Sequence, residues 1–194
     1  MNNFRIYTES KADTKFLKDY IQEIFSLALN DGDFDTLGGW SGYKVRGTLN
    51  ASIQQNNLNE KISILILDAD VDFKQRQQEV ISDFQSFDIP FDLFFFPNNS
   101  SAGNLESLLA EIAADKKLMD CFLEYEKCVS LYPKKLNDSR IYSYLDMLLH
   151  ENNKDENGKD LRKEENRNYR NQDHWNLHST YLDPLKGFLT KHMT

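Results

Sequence analysis

The 194-residue chain has only two cysteines, and no apolar run long enough to span a bilayer. Cys121 and Cys128 are seven apart in a helical pattern, which separates them by about 10 Å along the axis. They cannot pair with each other, and are expected to be small buried hydrophobes in a reducing compartment. The N-terminal segment enters a strand pattern at once, without a signal-peptide core, so a cytoplasmic protein with no membrane contact is expected. Basic charge is also scarce: 23 Lys and Arg against 31 Asp and Glu leave a formal net charge of −8. That balance argues against coating nucleic acid through the overall field, although a local basic groove remains compatible with it. There is no Gly-x-x-x-x-Gly-Lys-Ser/Thr loop, hence no P-loop ATPase within the chain, and no internal repeat. The length suffices to bury a substantial core without disulfide or metal staples.

What is present is concentrated in Ile62-Ser-Ile-Leu-Ile-Leu-Asp68-Ala-Asp70-Val-Asp72. The unbroken apolar run reads as a buried parallel strand. It ends in three carboxylates at the sheet's carboxyl edge, where open α/β proteins bind ligands. Acids crowded together repel one another unless a cation neutralises them, and oxygen-only clusters favour Mg²⁺ or Mn²⁺.

The rest of the chain alternates strands and helices. Phe4 to Thr8 is a strand meeting Glu9; Ser10 and Asp13 form a capping box, and Phe16, Leu17, Tyr20, Ile21, Ile24 and Phe25 follow at helical spacing. Phe34 to Trp40 is a second strand candidate, Gly47 to Asn57 a short helix, Gln75 to Phe87 another, and Phe91 to Phe96, closed by Pro97, the fourth strand. This order predicts a parallel sheet of about four strands with helices on both faces and right-handed crossovers. A helix opens near Asn104 at the same carboxyl edge, and Asp115 to about Glu151 is helical. Residues 151–172, whose large apolar groups are Leu161 and Tyr169, read as a solvated polar arm. Apolar pattern returns at Trp175 and Leu177, and Asp183-Pro184 starts a last helix expected to dock on the body. The division is therefore an α/β core over 1–114 and a helical extension over 115–194.

Glu9 through Leu17, then Asp68-Ala-Asp70-Val-Asp72, then Gly103-Asn-Leu-Glu106 resemble the Toprim domain. Within it they are most similar to the small single-domain Toprim-like proteins related to the overcoming-lysogenization-defect nucleases. The resemblance covers residues 4 to 113 and implies a Toprim-like Rossmannoid fold. It implies Mg²⁺ (or Mn²⁺) held by Glu9, Asp68 and Asp70 as catalytic residues, with Asp72 and Glu106 as candidates for a second ion. Ser10 departs from the glycine usual after the glutamate, and no equivalent of the catalytic lysine of the larger nucleases is found. The activity implied is metal-dependent phosphodiester cleavage on nucleic acid. The alternative is a non-catalytic or partner-dependent module acting with a separate ATPase subunit.

Each acid also has a purely structural use: Asp13 in the first turn of its helix, Glu106 at its own helix N-terminus, Glu9 at the surface beside the cap. Other Asp-x-Asp enzymes fit less well. A haloacid-dehalogenase phosphatase carries the motif on its first strand, a nucleotide-sugar glycosyltransferase needs a larger nucleotide-binding half upstream, and a receiver domain has its acids on the first strand. Topoisomerases and primases need separate modules for which there is no room. His174 and His178, four apart, lack a third zinc ligand and read as part of a docking segment. Gly38, Gly39 and Gly42 around Trp40 suggest a permissive loop near the site, with Lys44 and Arg46 beyond it as possible phosphate partners.

Overall fold

The computed structural model describes residues 2–39, 48–85, 90–130 and 139–193. Its strands are β1 (Phe4–Thr8), β2 (Phe34–Thr36), β3 (Ile62–Asp68) and β4 (Asp92–Phe96). All are parallel, in the order β2-β1-β3-β4. The helices are α1 (Lys11–Phe25), α2 (Thr48–Leu58), α3 (Phe73–Gln85), α4 (Leu105–Glu111), α5 (Lys116–Val129), α6 (Ser139–Leu149) and α7 (Asp183–Met193). The chain is thus α/β, as its alternating pattern predicts. The second strand ends at Thr36 instead of reaching Trp40, because Gly38 and Gly39 turn away with φ of 75° and 83°.

Side chains alternate across the sheet and build two cores. Ile6, Ile64, Ile66, Phe94 and Phe96 face α1, α4 and the helical extension, whereas Tyr7, Leu65, Leu67 and Phe95 face α2 and α3. On the second face Tyr7 Oη lies 2.7 Å from Ser52 Oγ and accepts from Asn56 Nδ2 at 2.7 Å, seating α2 on the sheet.

The extension shares the first core: Met119, Ile141, Tyr144, Trp175, Leu185 and Leu189 are buried in one cluster with Phe16 and Ile64. A strand-like bridge joins Ala113 to Trp175, with Asn176 N–H donating to Ile112 O at 2.7 Å. Tyr144 Oη donates to His174 O at 3.0 Å and accepts from Asp115 N at 3.1 Å. The last helix therefore docks as expected.

Two expectations need correction. Cys121 and Cys128 are exposed on α5, so they are not core residues. The 151–172 arm is not uniformly solvated. Arg167 is 2 % exposed and Tyr169 is fully buried, with its ring 5.4 Å from that of Phe16 and its backbone N–H held by Asp19 Oδ2 at 3.0 Å. One inserted aromatic with a few ion pairs, such as Arg170 to Glu23 at 3.2 Å, anchors a segment too polar to show a hydrophobic period.

Candidate metal centre

Strand order reverses between β1 and β3, so Glu9 after β1 and Asp68 at the end of β3 flank the crevice in which open α/β sheets bind ligands. Glu9 is 9 % exposed. Its Oε1 accepts from the backbone N–H of Asp68 at 3.1 Å and from Arg76 Nη2 at 2.7 Å. Arg76 sits in the first turns of α3 and is 4 % exposed; its Nε donates to Asp68 O at 3.1 Å and stands 3.7 Å from Asp70 Oδ2. One guanidinium thus touches the end of β1, the end of β3 and the loop between β3 and α3.

Asp13 joins the cluster through its capping role. Ser10 N–H donates to Asp13 Oδ2 at 2.8 Å and Asp13 N–H to Ser10 Oγ at 3.1 Å, which turns the buried carboxylate back toward Glu9. Burial above all, then Glu9 and Glu106, pushes Asp13 up to about 7. Asp68 is pushed up to about 9, first by burial and then by the charges of Asp13, Glu9, Glu106 and Asp70. Its Oδ1 is buried without a hydrogen-bond partner. Burial raises Glu9 as well, against the opposing pull of Arg76.

Two loops are tied together here. Asp70, at φ 54°, and Gly103, at φ 134°, exchange backbone hydrogen bonds of 2.9 and 2.7 Å. A Cβ on Gly103 would lie 2.8 Å from Ser107 Oγ and 2.9 Å from Ser107 Cβ, so the close approach requires glycine. The clamp fixes the Asp-x-Asp loop against the start of α4, where Asn104 caps the helix through Ser107 N–H at 3.1 Å and Glu106 lies in the first turn.

Among the candidate ligands, Glu9, Asp70 and the half-buried Glu106 stand near enough for their charges to act on Asp68. Asp72 is different: it is exposed and accepts from Gln75 N–H at 3.0 Å at the start of α3. Arg76 and the inward turn of Asp13 escape a reading of strand ends, since both come from helices; the one available signal is that Arg76 follows the Asp72 cap by a helical turn. Gly38 and Gly39 both donate to Glu9 O at 3.0 Å, placing that loop beside the centre. Trp40, Gly42, Lys44 and Arg46 lie outside the described residues. His174 Nε2 lies 3.3 Å from Asn171 Nδ2, and His178 Nε2 lies 3.6 Å from Glu23 Oε1.

The all-oxygen donor set and the orphaned Asp68 Oδ1 fit a hard divalent cation. Among the described residues, no group of three or more His, Cys, Asp or Glu side chains is gathered closely enough to hold an ion as it stands. No helix among the described residues is long and apolar enough to cross a membrane. No protein-family model, curated protein or solved structure matches the chain.

Proposed function

We propose that the chain is a Toprim-like domain that cleaves phosphodiesters of nucleic acid with Mg²⁺ or Mn²⁺ held by Glu9, Asp68 and Asp70. The observation that carries this reading is the buried, unpartnered Asp68 Oδ1 amid the charges of Glu9, Asp13, Asp70 and Glu106. The guanidinium of Arg76 offsets only part of that charge, and a proton on Asp68 covers the remainder when no ion is bound. Glu9, Asp68 and Asp70 would hold a divalent cation only as carboxylates, so the proton on Asp68 would leave as the ion bound. Once bound, the ion supplies a polarised phosphoryl oxygen and an activated water. The chain's own residues orient the site: Arg76 and the Asp68 N–H hold Glu9, and the Gly103 clamp sets the direction of Asp70.

Incubation of DNA and RNA oligonucleotides with Mg²⁺ or Mn²⁺ tests the reading. Cleavage is expected, and Glu9→Gln and Asp68→Asn should each reduce it by about a hundredfold or more, the scale of a lost ligand. Activity kept by both variants would assign the cleavage to another site or to a contaminant. The Arg76–Glu9 pair, which already occupies Glu9 Oε1, favours a second reading, a non-catalytic or partner-dependent module. Metal binding without cleavage of either nucleic acid would favour that one.

A further inference from the structure

A buried guanidinium normally faces a carboxylate, since a cation taken out of water needs a counter-charge. Arg5, Arg76, Arg140, Arg162 and Arg170 each lie within 3.2 Å of a carboxylate oxygen. Arg167 is more buried than any of them, at 2 % exposed, and makes no ion pair among the described residues. Its Nε donates to Arg162 O at 3.1 Å, but its Nη1 is enclosed and meets no acceptor. Tyr169 Oη is also enclosed without a partner, and so is Nε1 of Trp175, whose ring centroid lies 5.9 Å from that of Tyr169. Burial raises the Tyr169 phenol and the positive charge of Arg167 opposes the rise, so the two side chains are neighbours.

We propose that Arg167 and Tyr169 form an oxyanion site beneath the 151–172 arm, and that its ligand is a phosphate group. The unmet groups suit one: guanidinium and indole N–H can only donate, and the phenol can donate as well. A water would accept from them but leave the guanidinium charge unbalanced, whereas a pair of phosphate oxygens matches the guanidinium fork in both geometry and charge. A cleft of about 210 Å³, bordered by Glu23, Arg170, Trp175 and His178, adjoins the same tryptophan and has room for the ion. The arm is tied to α1 here by Tyr169 N–H to Asp19 Oδ2 at 3.0 Å and by Arg170 Nε to Glu23 Oε2 at 3.2 Å. These contacts are slight enough for the segment to lift from the cleft side, admit the ion and close on it. The site takes no ligand from the acids at the sheet edge, so it stands or falls independently of the cleavage reading.

Calorimetric titration of inorganic phosphate into the full chain, against chloride at matched ionic strength, tests this without reference to activity. The parent should bind one phosphate saturably. Arg167→Met keeps an apolar stem without the charge and should weaken binding by about a hundredfold or more, and Tyr169→Phe, which removes only the hydroxyl, by about tenfold. Amide hydrogen exchange over residues 162–170 should slow in phosphate for the parent and stay unchanged for Arg167→Met, a response that a purely structural arginine does not give. Glycerol phosphate titrated in parallel separates the sources: tighter binding than phosphate assigns an ester as the ligand, weaker binding the free ion, and either sustains the site. No saturable phosphate binding to the parent would overturn the inference and leave an enclosed water as the partner of these donors. Equal binding by the parent and a folded Arg167→Met variant would overturn it too, by placing the ion elsewhere. If Arg167→Met does not fold, Tyr169→Phe and the parental exchange pattern decide.

Discussion

Replacing Asp68 by asparagine should stabilise the metal-free protein, and the gain should grow with pH. The folded-state value of Asp68 is raised from 3.8 to about 9 by burial and by four neighbouring carboxylates. A raised value means that the folded chain keeps a proton which the unfolded chain gives up, so stability is fully present below 3.8 and declines as pH rises toward 9. Between pH 4 and 7 this single group removes up to about 4 kcal/mol, three pH units at 1.36 kcal/mol each. Asp68 and Asp13 share the proton uptake, so the expected gain for Asp68→Asn at pH 7 is roughly 1–4 kcal/mol. Asparagine keeps the shape and titrates in neither state. For a chain of this size that is a rise in Tm of about 2 °C or more. Urea denaturation of both proteins in a chelator, from pH 4 to 8.5, measures it. Parallel stability curves, with no widening gap, would refute the electrostatic reading of the cluster.

Three further outcomes are expected. Stabilisation by Mg²⁺ should strengthen as pH rises from 6 to 9, since the ion competes with the proton on Asp68, and thermal melts at fixed Mg²⁺ across that range check the sign. Gly103→Ala should cost about 2 kcal/mol or more, from the φ of 134° and the 2.8 Å clash with Ser107, and should weaken the Mg²⁺ response by loosening the Asp70 clamp; a denaturant midpoint equal to the parent's would contradict it. Deleting residues 165–170 should destabilise the fold because it removes buried Arg167 and Tyr169, whereas trimming the exposed residues 156–159 should be close to neutral, and comparison of the two melting curves separates the cases.

The sheet was legible because its signals are local. The Ile62–Leu67 run and the Phe-rich fourth strand have no other stable use than a buried strand, and alternation with helices makes the sheet parallel. Adjacency of β1 and β3, and with it the meeting of Glu9 and Asp68, follows from doubly wound topology. What stayed hidden depends on tertiary placement. Arg76 is one basic residue in a polar helix until α3 packs and points it at Glu9. Tyr169 is a lone aromatic among charges until Phe16 and Trp175 close around it, with ring centroids 5.4 and 5.9 Å away. The cysteines misled for the opposite reason: a typically buried residue type lies on the outer face of α5.

Calorimetric titration of Mg²⁺ into the parent and into Asp68→Asn at pH 8 tests the metal centre most directly. Saturable binding in the parent, with proton release and none in the variant, is the predicted result, and it is informative because the variant is expected to be the better folded of the two. Binding of equal strength in both proteins would place the ion elsewhere, and would contradict the assignment of Asp68 as its ligand.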